Sequence, residues 1–281
     1  MQTRPVQSWE EFESEIQQLI QYRNELETDL KKPDNWIFRG HCDSTWHLET
    51  TLERETEKEL YSIQKYFKII KQAKSKIEAV YELSLINWET LDSPQYADWY
   101  RNSNFLYLQG LLSYMIYLRH HGFPSPLLDW TKSIDVAAYF AFQNIKQDVK
   151  SVSIFAFLNH TAGTKGGWLA EPNISKIKPP LNLEDTLDKR HVSQKGSYTY
   201  CSIETQQEYS NHEKVFSANR RHKFPQDVLW KFEIPVSERD KVIRILESKN
   251  INTSSLFDSQ FPIEEAEFFK KIFIELDNLE S

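Results

Sequence analysis

Glycine is scarce in this sequence, at 7 of 281 residues. Each one is therefore expected to hold a backbone conformation that other residues resist, and three of them, Gly40, Gly122 and Gly196, fall inside the motifs described below. Cysteine is scarcer still. Cys42 and Cys201 are too few for a disulfide framework, so nothing points to a secreted, disulfide-stapled fold. No basic block offsets the net charge of −7. Phosphate-backbone binding rests on clustered Lys and Arg, so general nucleic-acid binding is not expected, although a local pocket for one phosphate is compatible with this balance. Long apolar runs are missing as well. The longest, Leu111 to Leu118, is far short of the ~20 residues that span a bilayer. The opening residues from Met1 to Glu11 lack the apolar core of a signal peptide. The expectation is a cytoplasmic protein with no membrane partner. Internal repeats and low-complexity linkers are also absent.

What remains is a chain long enough to bury a large core, with 8 Trp, 13 Tyr and 17 Phe to fill it. Ser8-Trp9-Glu10-Glu11 reads as a capping box opening a helix with Trp9, Phe12, Ile16, Leu19, Ile20 and Leu26 on one face. Trp36 to Gly40 reads as a short strand. A helical pattern follows from Glu53 to Leu85, with Ile63, Tyr66, Phe67, Ile70, Ile77 and Tyr81 at core spacing. Phe105, Leu108, Leu112, Met115 and Leu118 mark another helix, stopped near Gly122-Phe123-Pro124. Ser133 caps a short helix, and Val152 to Leu158 and Val228 to Ile234 are strands. Between those strands, residues 159–180 read as irregular. A helix starts at Ser237 and runs through Leu246, and Glu264 to Leu276 forms the last one. The simplest account is one α+β domain over 1–281. It has an N-terminal helix within 1–32, a helical insertion over 53–122, and a strand-rich half with C-terminal helices over 123–281.

Three segments carry a resemblance. The first is Trp36-Ile37-Phe38-Arg39-Gly40-His41, followed by Trp46-His47-Leu48 and Arg54. The second runs from His120-His121-Gly122-Phe123-Pro124 through Leu127-Leu128-Asp129-Trp130-Thr131 to Val136-Ala137-Ala138-Tyr139-Phe140-Ala141. The third is Arg190 with Gln194-Lys195-Gly196-Ser197-Tyr198. In order and wording they resemble the FRG domain family, whose Phe-Arg-Gly tripeptide precedes a Leu-Leu-Asp-Trp-Thr block and an Ala-x-Tyr-Phe-Ala helix. The resemblance extends to Phe257. Departures are Arg119 where Gln is usual and Ser125-Pro126 in place of Thr-Arg.

The same segments are more distantly similar to ADP-ribosyltransferases of the Arg-Ser-Glu type. That similarity implies a mixed-sheet core of their kind, with NAD as substrate. It also implies an NAD-cleaving or ADP-ribosyl-transferring reaction, and the FRG resemblance implies a role as bacterial toxin or phage-defence effector. Arg39, Asp129 and Thr131 would then be catalytic. Arg39, Gly40, His120, Trp130 and Gln194 would bind the ligand. The chemistry is coherent, because a planar guanidinium grips a pyrophosphate with a geometry Lys cannot match. An aromatic ring such as Trp130 stacks on nicotinamide, and an oxocarbenium-like transition state wants a fixed carboxylate, which Asp129 can supply.

The third motif departs from that family. Gln194-Lys195-Gly196 carries no acid, and Glu204, Glu208 and Glu213 follow at positions the sequence alone does not place. The alternative is a non-catalytic module for a nucleotide, dinucleotide or protein partner, acting as sensor or inhibitor. Plainer readings stand beside the functional ones. Arg39 can be the buried partner of Asp129, Asp129 and Thr131 can cap a turn or helix, and Gln194 can bond backbone near Gly196. His120, His121, His41, His47 and Cys42 show no tight ligand spacing, so no metal is expected.

Overall fold

The computed structural model describes residues 1–26, 36–58, 60–78, 109–159, 176–177, 189–203, 208–213, 227–257 and 263–280. In chain order the strands are β1 (Gln2–Pro5), β2 (Trp36–His41), β3 (Leu60–Ser62), β4 (Leu128–Thr131), β5 (Ser151–Asn159), β6 (Lys176–Ile177), β7 (Gly196–Thr199), β8 (Cys201–Ile203), β9 (Glu208–Ser210) and β10 (Asp227–Pro235). The helices are α1 (Trp9–Leu26), α2 (Thr51–Thr56), α3 (Ile63–Glu78), α4 (Gln109–His120), α5 (Ile134–Phe142), α6 (Lys189–Ser193), α7 (Arg239–Ser248), α8 (Thr253–Leu256) and α9 (Ile263–Leu279). A six-stranded sheet in the order β1-β10-β5-β2-β4-β7 and a four-stranded one in the order β3-β9-β8-β6 give the mixed content of the α+β class. β1 joins β10 in parallel, whereas β5, β10, β2, β4 and β7 pair antiparallel.

Alternation along each strand decides which face every side chain occupies. Trp36 and Phe38 of β2, Ile154 and Ala156 of β5, and Trp230 and Phe232 of β10 share one face. α1 covers it with Trp9, Phe12 and Ile16, and α5 and α7 complete the layer. Ile37, Trp130, Phe155, Phe157 and Leu229 lie on the opposite face beneath Leu48 and Cys201. A separate core joins α3, α4 and α9, where Tyr66, Met115, Phe269 and Phe273 are sealed from solvent with Tyr198 and Tyr200. His121, at the end of α4, bonds Glu265 of α9 at 2.8 Å.

Several expectations need correction. The span from 53 to 85 is not one helix. Glu57 ends α2 in the left-handed region at φ 53°, β3 follows, and α3 then runs to Glu78. Tyr81 lies outside the described residues, as do Phe105 and Leu108. Leu60-Tyr61-Ser62 pairs with β9, so the segment 53–122 contributes a strand as well as helices. Within 159–180 the described pair Lys176–Ile177 is a strand that joins β8. A 3-10 turn over Val236–Glu238 occupies the place where a helix from Ser237 was expected, and α7 begins at Arg239. At the start of α1, Ser8 Oγ accepts the Glu11 N–H at 3.2 Å, but Glu11 reaches back to the Gln7 N–H at 2.6 Å. The capping box is therefore offset by one residue.

Candidate functional site

The site begins where two neighbouring strands part. β2 is held to β5 by six register pairs, from Trp36↔Leu158 to His41↔Ser153. Toward β4 it has a single pair, Phe38↔Thr131. Beyond that pair a cavity of about 770 Å³ opens. β2 contributes Arg39, Gly40 and His41, β4 contributes Asp129, Trp130 and Thr131, and the end of α4 contributes Arg119 and His120. Gln194 and Tyr198 come from around β7, and Trp46, Glu49 and Arg54 from around α2. All seven residues singled out from the sequence, Arg39, Gly40, His120, Asp129, Trp130, Thr131 and Gln194, border this cavity.

Local structure explains how Arg54 arrives there. Thr50 and Glu53 form a capping box that starts α2. The Thr51 hydroxyl accepts the Ser125 N–H at 2.9 Å, which pins this helix beside the approach to β4. Arg54 itself donates to the Glu49 carbonyl at 3.3 Å.

Positive charge dominates the electrostatics. Arg39 Nη1 donates to the Asp129 carbonyl at 2.7 Å and lies 3.9 Å from the Asp129 carboxylate. Arg119 Nη2 takes the same carboxylate oxygen at 2.6 Å. Burial pushes the Arg39 guanidinium down to about 10; Asp129 opposes the shift, and Arg119 and Arg54 add to it. The group stays cationic at neutral pH. Arg39 Nε, which can only donate, meets His41 Nε2 at 2.9 Å, so that nitrogen is the acceptor. Burial, then Arg39, Arg54 and Lys231, hold His41 well below the usual imidazole range, and the ring is neutral.

Several candidates are occupied by structural duties. A Cβ on Gly40 would lie 1.9 Å from the Ala137 carbonyl, so glycine is what lets α5 rest on β2. Trp130 is 4% exposed, its indole N–H donates to Thr199 at 2.7 Å, and its ring packs on Phe157. The Thr131 hydroxyl donates to the Gln194 carbonyl at 2.7 Å and accepts the Ser133 N–H at 3.1 Å. Gln194 Nε2 donates to the Leu256 carbonyl at 3.2 Å. His120 Nε2 shares a proton with the Tyr198 hydroxyl at 3.0 Å. Of the residues tied to the third motif, the backbone of Arg190 lies in α6, while its side chain and Glu204 lie outside the described residues. Glu208 is in the second sheet, opposite Ser62. Glu213 accepts the Leu48 N–H at 2.9 Å and meets His47, a cavity residue, at 3.2 Å.

Sequence reasoning gave no site role to Arg54, Arg119, Glu49 or Trp46. Trp46 borders the cavity, is 44% exposed, and has its ring 6.1 Å from that of His41. One signal for Arg119 was available: it stands in the last turn of the helix that feeds the Leu-Leu-Asp-Trp-Thr strand.

Among the described residues no helix is long and apolar enough to cross a membrane. No curated protein and no solved structure matches the chain. Residues 34–150 match the family model of the FRG domain, and that span holds Arg39, Arg54, Arg119 and Asp129. The span that supplies the three arginines of this cleft, residues 34–150, is therefore the one that is similar to the FRG domain.

Proposed function

We propose that the cavity binds NAD and cleaves its ribosyl–nicotinamide bond. The observation that carries this reading is a charge match. Three guanidinium groups (Arg39, Arg54, Arg119) and two carboxylates (Asp129, Glu49) line the cavity. NAD offers the complement, two phosphate anions and one pyridinium cation. The volume suits a dinucleotide, since ligand pockets usually span about 300–1,000 Å³. Arg39 is bonded to the protein through Nε and Nη1, which leaves Nη2 for a phosphate. Trp46, rather than the buried Trp130, presents an open aromatic face to a ring.

In the reaction the ribosyl–nitrogen bond breaks and its electron pair leaves with nicotinamide, which becomes neutral. The ribosyl carbon passes through an oxocarbenium-like state that Asp129 stabilises. Water, or an acceptor nucleophile in a transfer, adds to that carbon and gives up a proton. The order of arginine strand, helices, hydroxyl strand and short helix supports a core of the ADP-ribosyltransferase kind. A protein that consumes NAD arrests its own cell unless held in check, which suits a toxin or phage-defence effector.

One observation favours a second reading. The Asp129 carboxylate is already held by Arg119 at 2.6 Å, and a paired carboxylate stabilises a developing cation less. Without a further acid from the third motif, the cleft binds a nucleotide or a protein partner as a sensor or inhibitor and does not turn it over. Nicotinamide release from NAD by purified protein decides between them. Turnover by wild type, lost by at least about a hundredfold in Arg39→Ala and Asp129→Asn variants that still fold, is expected for the enzyme. A wild type that is stabilised by NAD against heat but releases nothing selects the binding module. A wild type that ignores NAD sinks both NAD readings.

A further inference from the structure

Arg54 and Arg119 reach the cavity from different elements, α2 and α4, and meet there the guanidinium of Arg39 from β2. Arg39 and Arg119 are half-buried, whereas Arg54 is exposed to solvent. A half-buried arginine normally finds a counter-charge, because leaving one unpaired in low dielectric is costly. Here the compensation falls short. A single Asp129 oxygen serves Arg119 at 2.6 Å and Arg39 at 3.9 Å. Arg54 has no carboxylate within ion-pair distance among the described residues, and its hydrogen bond goes to the neutral Glu49 carbonyl. Glu49, the other lining acid, forms no ion pair with any of the three among the described residues. His41 is neutral and adds nothing to the balance.

We propose that Arg39, Arg54 and Arg119 form a diphosphate subsite, so that the ligand of this cleft is a nucleoside diphosphate or its ester. The proposal rests on the nucleotide reading above and deepens it, turning its overall charge match into individual diphosphate contacts for Arg54 and Arg119 beside Arg39. A single phosphate can engage fewer of the three guanidinium groups than a diphosphate can. A diphosphate supplies two anions a single bridging oxygen apart, each able to accept the forked N–H donors of a guanidinium. The chain's net charge of −7 points away from a nucleic-acid backbone. The arginines also bear on one another. Burial, then Arg119, lowers the Arg54 guanidinium against the opposing pull of Glu49, Asp129 and Glu53. Burial lowers Arg39 against that of Asp129, and Arg119 and Arg54 add to it. An anion seated among them relieves that mutual repulsion.

Calorimetric titration of the full chain with inorganic pyrophosphate, orthophosphate and ADP-ribose tests this. ADP-ribose lacks the pyridinium and the cleavable bond, so it reads the subsite apart from turnover. Pyrophosphate and ADP-ribose are expected to bind, with orthophosphate at least about tenfold weaker. Arg54→Gln and Arg119→Gln should each weaken ADP-ribose by about tenfold to a hundredfold, the range for one charge-assisted contact. Arg54→Lys keeps the charge but loses the fork and should fall between. If Arg54→Gln does not give a wild-type melting curve, Arg54→Lys carries the comparison. Orthophosphate binding as tightly as pyrophosphate would overturn the proposal. So would wild-type affinity in both glutamine variants, or a wild type that binds neither diphosphate. Nicotinamide release in the same proteins separates the two readings. Turnover with an unchanged KM in both glutamine variants removes the subsite and keeps NAD cleavage, whereas arginine-dependent diphosphate binding without turnover keeps the subsite and removes the cleavage.

Discussion

His212 is sealed from solvent, and its Nε2 meets the Thr199 hydroxyl at 3.0 Å. That hydroxyl already accepts the Trp130 indole N–H at 2.7 Å, which leaves its hydrogen for His212. Burial, with Arg39 adding, pushes the imidazole down to about 3. An unfolded histidine takes its proton near pH ~6.5. Between that pH and about 3 the unfolded chain therefore binds a proton that the folded one refuses, and stability falls as the solution is acidified. Each such ring costs up to about 1.4 kcal/mol per pH unit in that window, and His41 acts in the same direction. Urea unfolding followed from neutral pH to about pH 4 should show this loss, and a folded His212→Asn variant should show a shallower one. A variant with an unchanged slope would mean that His212 is protonated in the fold. At this scale the sequence located the cavity but not the duty of each side chain. Trp130, Thr131 and Gln194 border the cavity, yet each hydrogen bond they make ends on protein. Strand alternation and the partners across the sheet decide this, and a motif read in one dimension contains neither.

Among the elements, β2 and α5 are the pair on which the cleft depends. Gly40 lets them touch: a Cβ there would also come within 2.6 Å of the Ala141 amide, and both obstacles are backbone. Gly40→Ala is therefore expected to cost about 3 kcal/mol or more, at or above the upper end of overpacking changes. Chemical denaturation measures this, and a loss below about 1 kcal/mol would show that α5 shifts freely. β2, β5 and β10 were legible because their apolar residues run through or alternate over several positions, as were the long amphipathic helices. β1 was not legible, since all four of its residues are exposed and it is defined by pairing with β10. β3, β8 and β9 are each three residues long. So short a segment carries no periodicity, and its strand character comes from partners distant in sequence.

For the whole molecule, a negative balance of charge coexists with a cavity where guanidinium groups outnumber carboxylates. Composition averages over the surface and is blind to that local reversal. The motif order did bring Arg39 and Asp129 together; Arg54 and Arg119 join them only through the packing of α2 and α4. The broken pairing between β2 and β4 has one more consequence, for amide exchange. In an antiparallel sheet every second residue turns its N–H and C=O toward the same neighbour. The amides of β2 that face β5 should exchange with deuterium slowly, at rates near those of global unfolding. Beyond Phe38, those that face the parted β4 should exchange much faster despite their place in mid-sheet. A ligand seated in the gap would slow only the second set. Main-chain groups of this kind offer the same donors and acceptors whatever side chains the strands carry, so part of what the cleft recognises can persist when its side chains are changed.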